Sequence, residues 1–200
     1  AVIHAVLRRT DEAAEVATTA LARARETGNP TALAFSLYAK GLALKHGSPE
    51  EAVAMFEEAA RMADSVGNDW FSGIARMELV STKAGHGDLS GAFRDFAGVI
   101  DHWHRAGDDT QLRLAWRYLV SALDHVGLPD EAALLSGALL ADTKSVLTLP
   151  HPRLMDQLLG ALGKAEYARL IVRGSVMSVP ELVVVSLDAI DRARHMPHEP

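Results

Sequence analysis

Arg113, Arg117, Ser121 and Asp124 recur at i, i+4, i+8 and i+11, a spacing that brings side chains to one face of a helix. Two guanidinium groups beside a hydroxyl and a carboxylate could grip an acidic or carboxylate-bearing partner, because the planar guanidinium fork matches carboxylate geometry. A merely solvated face accounts for the same residues more simply. His46, His86 and His125 lie at spacings of 40 and 39. They could form a pH-sensing or ligand-binding row; as helix-terminal side chains satisfying the last carbonyls and the negative end of the helix dipole they need no ligand. The one close histidine pair, in His102-Trp103-His104, is two residues apart. On a helix such side chains point about 200° from one another and cannot share a metal.

Other chemistries lack their residues. A phosphate cradle needs glycine-rich backbone amides ahead of a helix, followed by lysine and a hydroxyl. Gly160-Ala-Leu-Gly163-Lys164-Ala165 has another glycine spacing and no hydroxyl after the lysine, and reads as a helix-to-helix turn. There is no His-Glu-x-x-His pair, no Gly-x-Ser-x-Gly elbow and no cysteine, so no thiolate site or disulfide can form. The expectation is a protein without catalytic residues, metal or cofactor. Trp70, Phe71, Trp103, Trp116 and Tyr118 could line an aromatic ligand pocket; their helical spacing favours core packing.

Helices must position whatever site exists. The chain has 200 residues, 48% of them hydrophobic and only 6% aromatic, enough for a substantial core built of side chains that lose little freedom in a helix. With 20 basic and 26 acidic residues the net charge is −6, and no basic block that could track phosphates occurs, so direct nucleic-acid binding is not expected. The lack of cysteine fits a reducing cytosol. No run of about 18 apolar residues occurs to span a membrane. The helical pattern is already under way at Ala1, which reads as a cut into a larger protein.

The turn residues repeat. Gly47-Ser-Pro-Glu-Glu-Ala52, Gly87-Asp-Leu-Ser-Gly-Ala92 and Gly127-Leu-Pro-Asp-Glu-Ala132 are 40 apart, and Gly28-Asn29-Pro30, Gly67-Asn68-Asp69 and Gly107-Asp108-Asp109 interleave with them at 39 and 40. Each member of the second series offers a glycine able to take the left-handed conformation and then helix-starting residues. Two turns per period imply two helices per repeat. The pattern predicts helices near 11–27, 31–46, 49–66, 69–86, 89–106, 110–126 and 129–143. Thr148-Leu-Pro150-His-Pro152 breaks it, since proline removes a donor and bars the helical region to its predecessor. Shorter helical patterns follow near 152–160, 164–173 and 179–194. The division expected is helical repeats over 1–147 and a helical capping block over 148–200.

Within the repeats the series Ala52, Phe56, Ala59, then Ala92, Phe96, Val99, then Ala132, Ser136, Leu139 marks an inward face. Gly47, Ala52, Phe56 and Ala59 resemble the second helix of a tetratricopeptide repeat. Gly87, Ala92 and Phe96 resemble it nearly as well, Ser136 stands where the third copy would hold its aromatic, and Ala13, Ala17 and Ala20 form the earliest copy. Trp116, 16 residues before Ala132, occupies a place where that motif often has tryptophan. The period near 40 exceeds the usual 34 and is similar to long-helix variants in large bacterial ATP-dependent regulators. The resemblance implies an all-α, right-handed α-solenoid of antiparallel helical hairpins with a C-terminal helical cap.

The last third resembles the tail of the helical segment in bacterial LuxR- and AfsR-type transcriptional regulators, some linked to cyclases. The residues that carry this are Leu162-Gly-Lys-Ala-Glu-Tyr167-Ala, Gly174-Ser-Val-Met177-Ser178-Val-Pro-Glu181-Leu and Ala189, with Ala132-Ala-Leu-Leu135-Ser-Gly-Ala138 before them. Leu170-Ile171-Val172, where tryptophan is often found, and the Val183-Val-Val run depart from it. The resemblance implies a sensing or protein-interaction domain holding a small inducer, peptide or protein, with ATPase and DNA-binding domains elsewhere in the parent chain. A stand-alone scaffold protein would share the fold without those domains. In either case the first helices of the hairpins should line an exposed, partly apolar groove containing Arg117.

Overall fold

The computed structural model describes residues 10–141 and 146–196. Among them the chain forms nine α-helices and no strand: α1 (Thr10–Thr27), α2 (Pro30–Leu44), α3 (Pro49–Ser65), α4 (Asp69–Gly85), α5 (Leu89–Ala106), α6 (Asp109–His125), α7 (Pro129–Ala141), α8 (Pro152–Val176) and α9 (Val179–His195), with a single 3₁₀ turn at Val146–Thr148. These bounds agree with the sequence expectations to within two residues through α6. The expected end of α7 near 143, like the helical pattern at Ala1, lies outside the described residues. The two patterns after the proline break form one helix interrupted at Gly163, whose φ of 74° and ψ of 161° are non-helical.

The punctuation explains the regularity. Asn29, Asn68 and Asp108 each accept, through a side-chain oxygen, the backbone N–H three residues on, at 3.0, 3.1 and 3.1 Å, and so satisfy one of the first orphan amides of α2, α4 and α6. Gly67, at φ 68°, turns the chain out of α3 and lets the Asn68 N–H reach back to the Ala63 carbonyl at 2.9 Å. Proline opens α2, α3, α7 and α8, where its missing N–H would have had no helical partner anyway.

Packing divides the chain into two units, residues 1–88 and 89–200. In the first, α1 packs on α2, α2 on α3 and α3 on α4. Leu21, Leu37, Ala59, Ala60 and Ala75 form a buried cluster shared by all four helices, with Leu33, Tyr38, Met55 and Met62 against it. The Phe56 ring is fully buried and lies so close to α2 that a Cβ on Gly41 would come within 2.6 Å of it. Lys45, just after α2, reaches Glu78 and Ser81 of α4 at 2.7 and 3.0 Å.

The second unit is wound differently. Besides the neighbour contacts of α5 with α6 and α6 with α7, α8 lies along α7, and α9 returns to pack chiefly on α5. All of Ala132 to Leu139 is buried, so the middle of α7 is enclosed on every side. A Cβ on Gly174 would sit 1.8 Å from the Leu134 carbonyl oxygen, and one on Gly137 would sit 2.2 Å from that of Ile171, so α7 and α8 cross backbone to backbone. Glu131 and Arg192 tie α7 to α9 at 2.5 Å. The two-proline break falls inside this unit. All nine residues of the three series read from the sequence are buried, Ser136 included; its hydroxyl donates to the Ala132 carbonyl at 2.7 Å.

Candidate recognition site

The four residues singled out on α6 separate in the structure. Arg113 lines a cleft of about 240 Å³ in the second unit, together with Thr110 on its own helix, Thr148 from the 3₁₀ turn, and Ser175 at the end of α8. Ala138, Met177 and Leu182 supply the apolar wall, and the Asp109 carboxylate lines the cleft as well. The Arg113 Nη1 donates to the Ala138 carbonyl at 3.0 Å, satisfying one of the carbonyls left over at the end of α7 and holding the guanidinium in place.

Arg117 is one turn further along and is used differently. Its Nε donates to the Leu149 carbonyl at 2.9 Å, bracing the chain just before the two prolines, while its guanidinium carbon lies 5.9 Å from the centre of the Tyr118 ring. Neither Arg117 nor Ser121 or Asp124 is among the residues lining the cleft. Ser121 is exposed. Asp124 is half-buried, and burial raises its carboxyl above the ordinary value, partly offset by the neighbouring His125.

The His86 Nδ1 lies 3.0 Å from the Thr82 carbonyl, the helix-end arrangement, and so carries the proton there. Phe71, Trp103 and Trp116 are buried, and Tyr118 is half-buried; Trp70 departs from the core expectation, being 54% exposed at the start of α4. The indole N–H groups of Trp103 and Trp116 have no partner among the described residues, so apolar packing is what those rings contribute. Lys164 is exposed just after the Gly163 break. Among the described residues no three His, Asp or Glu side chains gather as a metal ion would need, and no helix is long and apolar enough to cross a membrane.

Sequence reasoning missed Thr110, Thr148 and Ser175. The first is three residues from Arg113 and could have been placed beside it by helical spacing. Thr148 arrives with the 3₁₀ turn that packs on α6, and Ser175 with the return of α8 onto α7 through the Gly137 and Gly174 close approach; neither leaves a periodic signal. Comparison with known proteins brings no match: no family model, no curated protein and no solved structure matches the chain.

Proposed function

We propose that this chain is a non-catalytic recognition domain that binds a carboxylate-bearing ligand at Arg113, the ligand being a small acid or the acidic side chain of a peptide or protein partner. In this reading the helices continue as a right-handed solenoid of the tetratricopeptide kind. The domain serves in the cytosol as the sensing part of a multidomain bacterial transcriptional regulator of the LuxR or AfsR type, whose ATPase and DNA-binding parts respond to ligand through a shift in their conformational equilibrium. The resemblance of the last third supports the regulator context. The observation that carries the ligand chemistry is the cleft itself: a guanidinium held by a backbone carbonyl, three hydroxyl-bearing side chains and an apolar wall. Its volume of about 240 Å³ is below the ~300 Å³ at which drug-sized sites begin, which suits a short acid or one side chain.

Calorimetric titration with short mono- and dicarboxylic acids, and separately with peptides carrying a single Asp or Glu, tests the reading and separates the two sources. The expected result is saturable one-to-one binding by one of the two sets, lost in Arg113→Gln and kept in Arg105→Gln, a change at an exposed arginine paired to Asp101 outside the cleft. Binding by neither set, or binding that survives Arg113→Gln, defeats it. The regulator context is tested by the mass of the intact gene product. Roughly 700 residues or more, at about 100 to 200 residues per domain, leaves room for the further domains; a product barely longer than 200 residues removes them.

A further inference from the structure

The second unit holds another cleft besides that of Arg113, one of about 210 Å³ lined by α7, α8 and α9. Its floor is apolar. Leu134 of α7 and Leu170 of α8 are 5% and 3% exposed, and the half-buried Val185 of α9 completes the surface. Because α7 and α8 cross backbone to backbone at Gly174, the α8 wall is fixed against that floor. Three arginines stand around it, Arg169 and Arg173 on α8 and Arg192 on α9, with three carboxylates, Asp130 and Glu131 on α7 and Asp188 on α9. The charges balance in number, so their pairing decides what the cleft offers a ligand.

Two of the arginines are already engaged. Arg169 donates to both carboxylate oxygens of Glu166, three residues earlier on its own helix, and the Asp130 carboxylate adds to the field that keeps it charged. Arg192 reaches across to Glu131 of α7 at 2.5 Å. That reach turns Arg192 away from Asp188, four residues before it, although an acid and a base at this spacing on one helix ordinarily pair. Arg173 has no helical partner either: Arg169, four residues before it, is a like charge, and Met177, four after it, is apolar. Among the described residues neither Arg173 nor Asp188 makes a hydrogen bond or an ion pair, and both are exposed. The cleft therefore presents an unengaged cation on its α8 wall and an unengaged anion on its α9 wall, with an apolar floor below them.

We propose that this cleft binds a free α-amino acid with an aliphatic side chain. The ligand carboxylate sits on the Arg173 guanidinium, its ammonium on the Asp188 carboxylate, and its side chain over Leu134, Leu170 and Val185. The guanidinium fork matches a carboxylate at two points, and an ammonium brings three donors to a carboxylate that only accepts. A volume of about 210 Å³, below the ~300 Å³ at which drug-sized sites begin, suits a ligand of this size. The site shares no lining residue with the Arg113 cleft and does not depend on it.

Equilibrium dialysis of the intact chain against radiolabelled L-leucine is the test, with isocaproate and isoamylamine as competitors of the same shape that each lack one of the two charges. The expected result is saturable one-to-one binding, with each competitor weaker than unlabelled leucine by roughly tenfold or more, the order set by losing one charge-assisted pair. Arg173→Gln and Asp188→Asn should each weaken leucine binding by a similar factor while keeping the far-UV circular dichroism of the parent chain, since both side chains are exposed. Arg113→Gln should leave it unchanged, which separates this site from the acid-binding cleft. Lack of binding, a competitor as strong as leucine, undiminished binding in Arg173→Gln or Asp188→Asn, or loss of binding in Arg113→Gln overturns the proposal.

Discussion

The two units place the same periodic position to opposite use. In the first, position 56 holds phenylalanine, whose ring fills the space over Gly41 and keeps α2 and α3 a ring's thickness apart. In the second, position 136 holds serine, which turns its hydroxyl onto its own helix, and α7 has no large side chain there to hold a neighbour away. The neighbour comes in to backbone distance, α8 crossing at Gly174 and Gly137. In the first unit each helix packs on its successor, whereas in the second α8 lies along α7 and α9 returns to α5. The Arg113 cleft is a product of that return.

The strongest way to break this comparison is at the two contacts that define it. Phe56→Ala, deleting a fully buried ring, is expected to cost about 3 to 5 kcal/mol in chemical denaturation. Gly174→Ala is expected to cost about 1 to 3 kcal/mol or more by the same measurement, because its methyl meets the Leu134 backbone, which cannot swing aside. A cost below that of an ordinary surface change would mean that α7 and α8 do not cross as closely as described. Asn68→Ala removes the oxygen that caps α4 and should lower stability by about 1 kcal/mol. Gly160→Ala, inside α8 where an added methyl meets nothing within 4 Å, should raise it by about 0.5 to 1 kcal/mol, the reverse of Gly174→Ala on the same helix.

The smallest effect expected is a pH dependence at the start of α9. Ser178 donates to Glu181 through both its backbone N–H, at 2.8 Å, and its hydroxyl, at 2.6 Å, and these bonds hold the Glu181 carboxyl below its ordinary 4.5. A depressed carboxyl contributes stability that is complete above the ordinary value and is lost as pH falls through the folded one. Asp124 works in the other sense: its raised carboxyl favours the fold while protonated, so its contribution declines as pH climbs from 3.8 through the folded value. Melting temperatures of Glu181→Gln and the parent chain should thus converge as pH falls from 4.5 through the lowered folded value, and Asp124→Asn should lose the opposite trend.

Much of the fold could be read from the residues. The glycine and Asn/Asp series place every turn from Gly28 to Gly107 because cap chemistry is local: the oxygen that accepts a helix's first amide must lie three residues before it. The inward series was legible down to Ser136 because burial follows helical period. The partners of α8 and α9 were not legible, since a glycine that permits close approach carries no local mark of the helix it meets, and nothing around Gly174 points to Leu134. For the same reason the stripe from Arg113 to Asp124 was visible as a face, but its division was not. Arg113 goes to a cleft and Arg117 to a carbonyl at Leu149 because of where α8 and the proline break return, over 30 residues later.

The most direct test of the proposed recognition role is an NMR titration of the ¹⁵N-labelled chain with the carboxylic acids and acidic peptides. The expected result is a set of saturable shifts confined to Thr110, Arg113, Thr148, Ser175 and Met177, missing in Arg113→Gln. Shifts spread over both units without saturation, or centred on Ser121 and Asp124 instead, would contradict recognition at the Arg113 cleft.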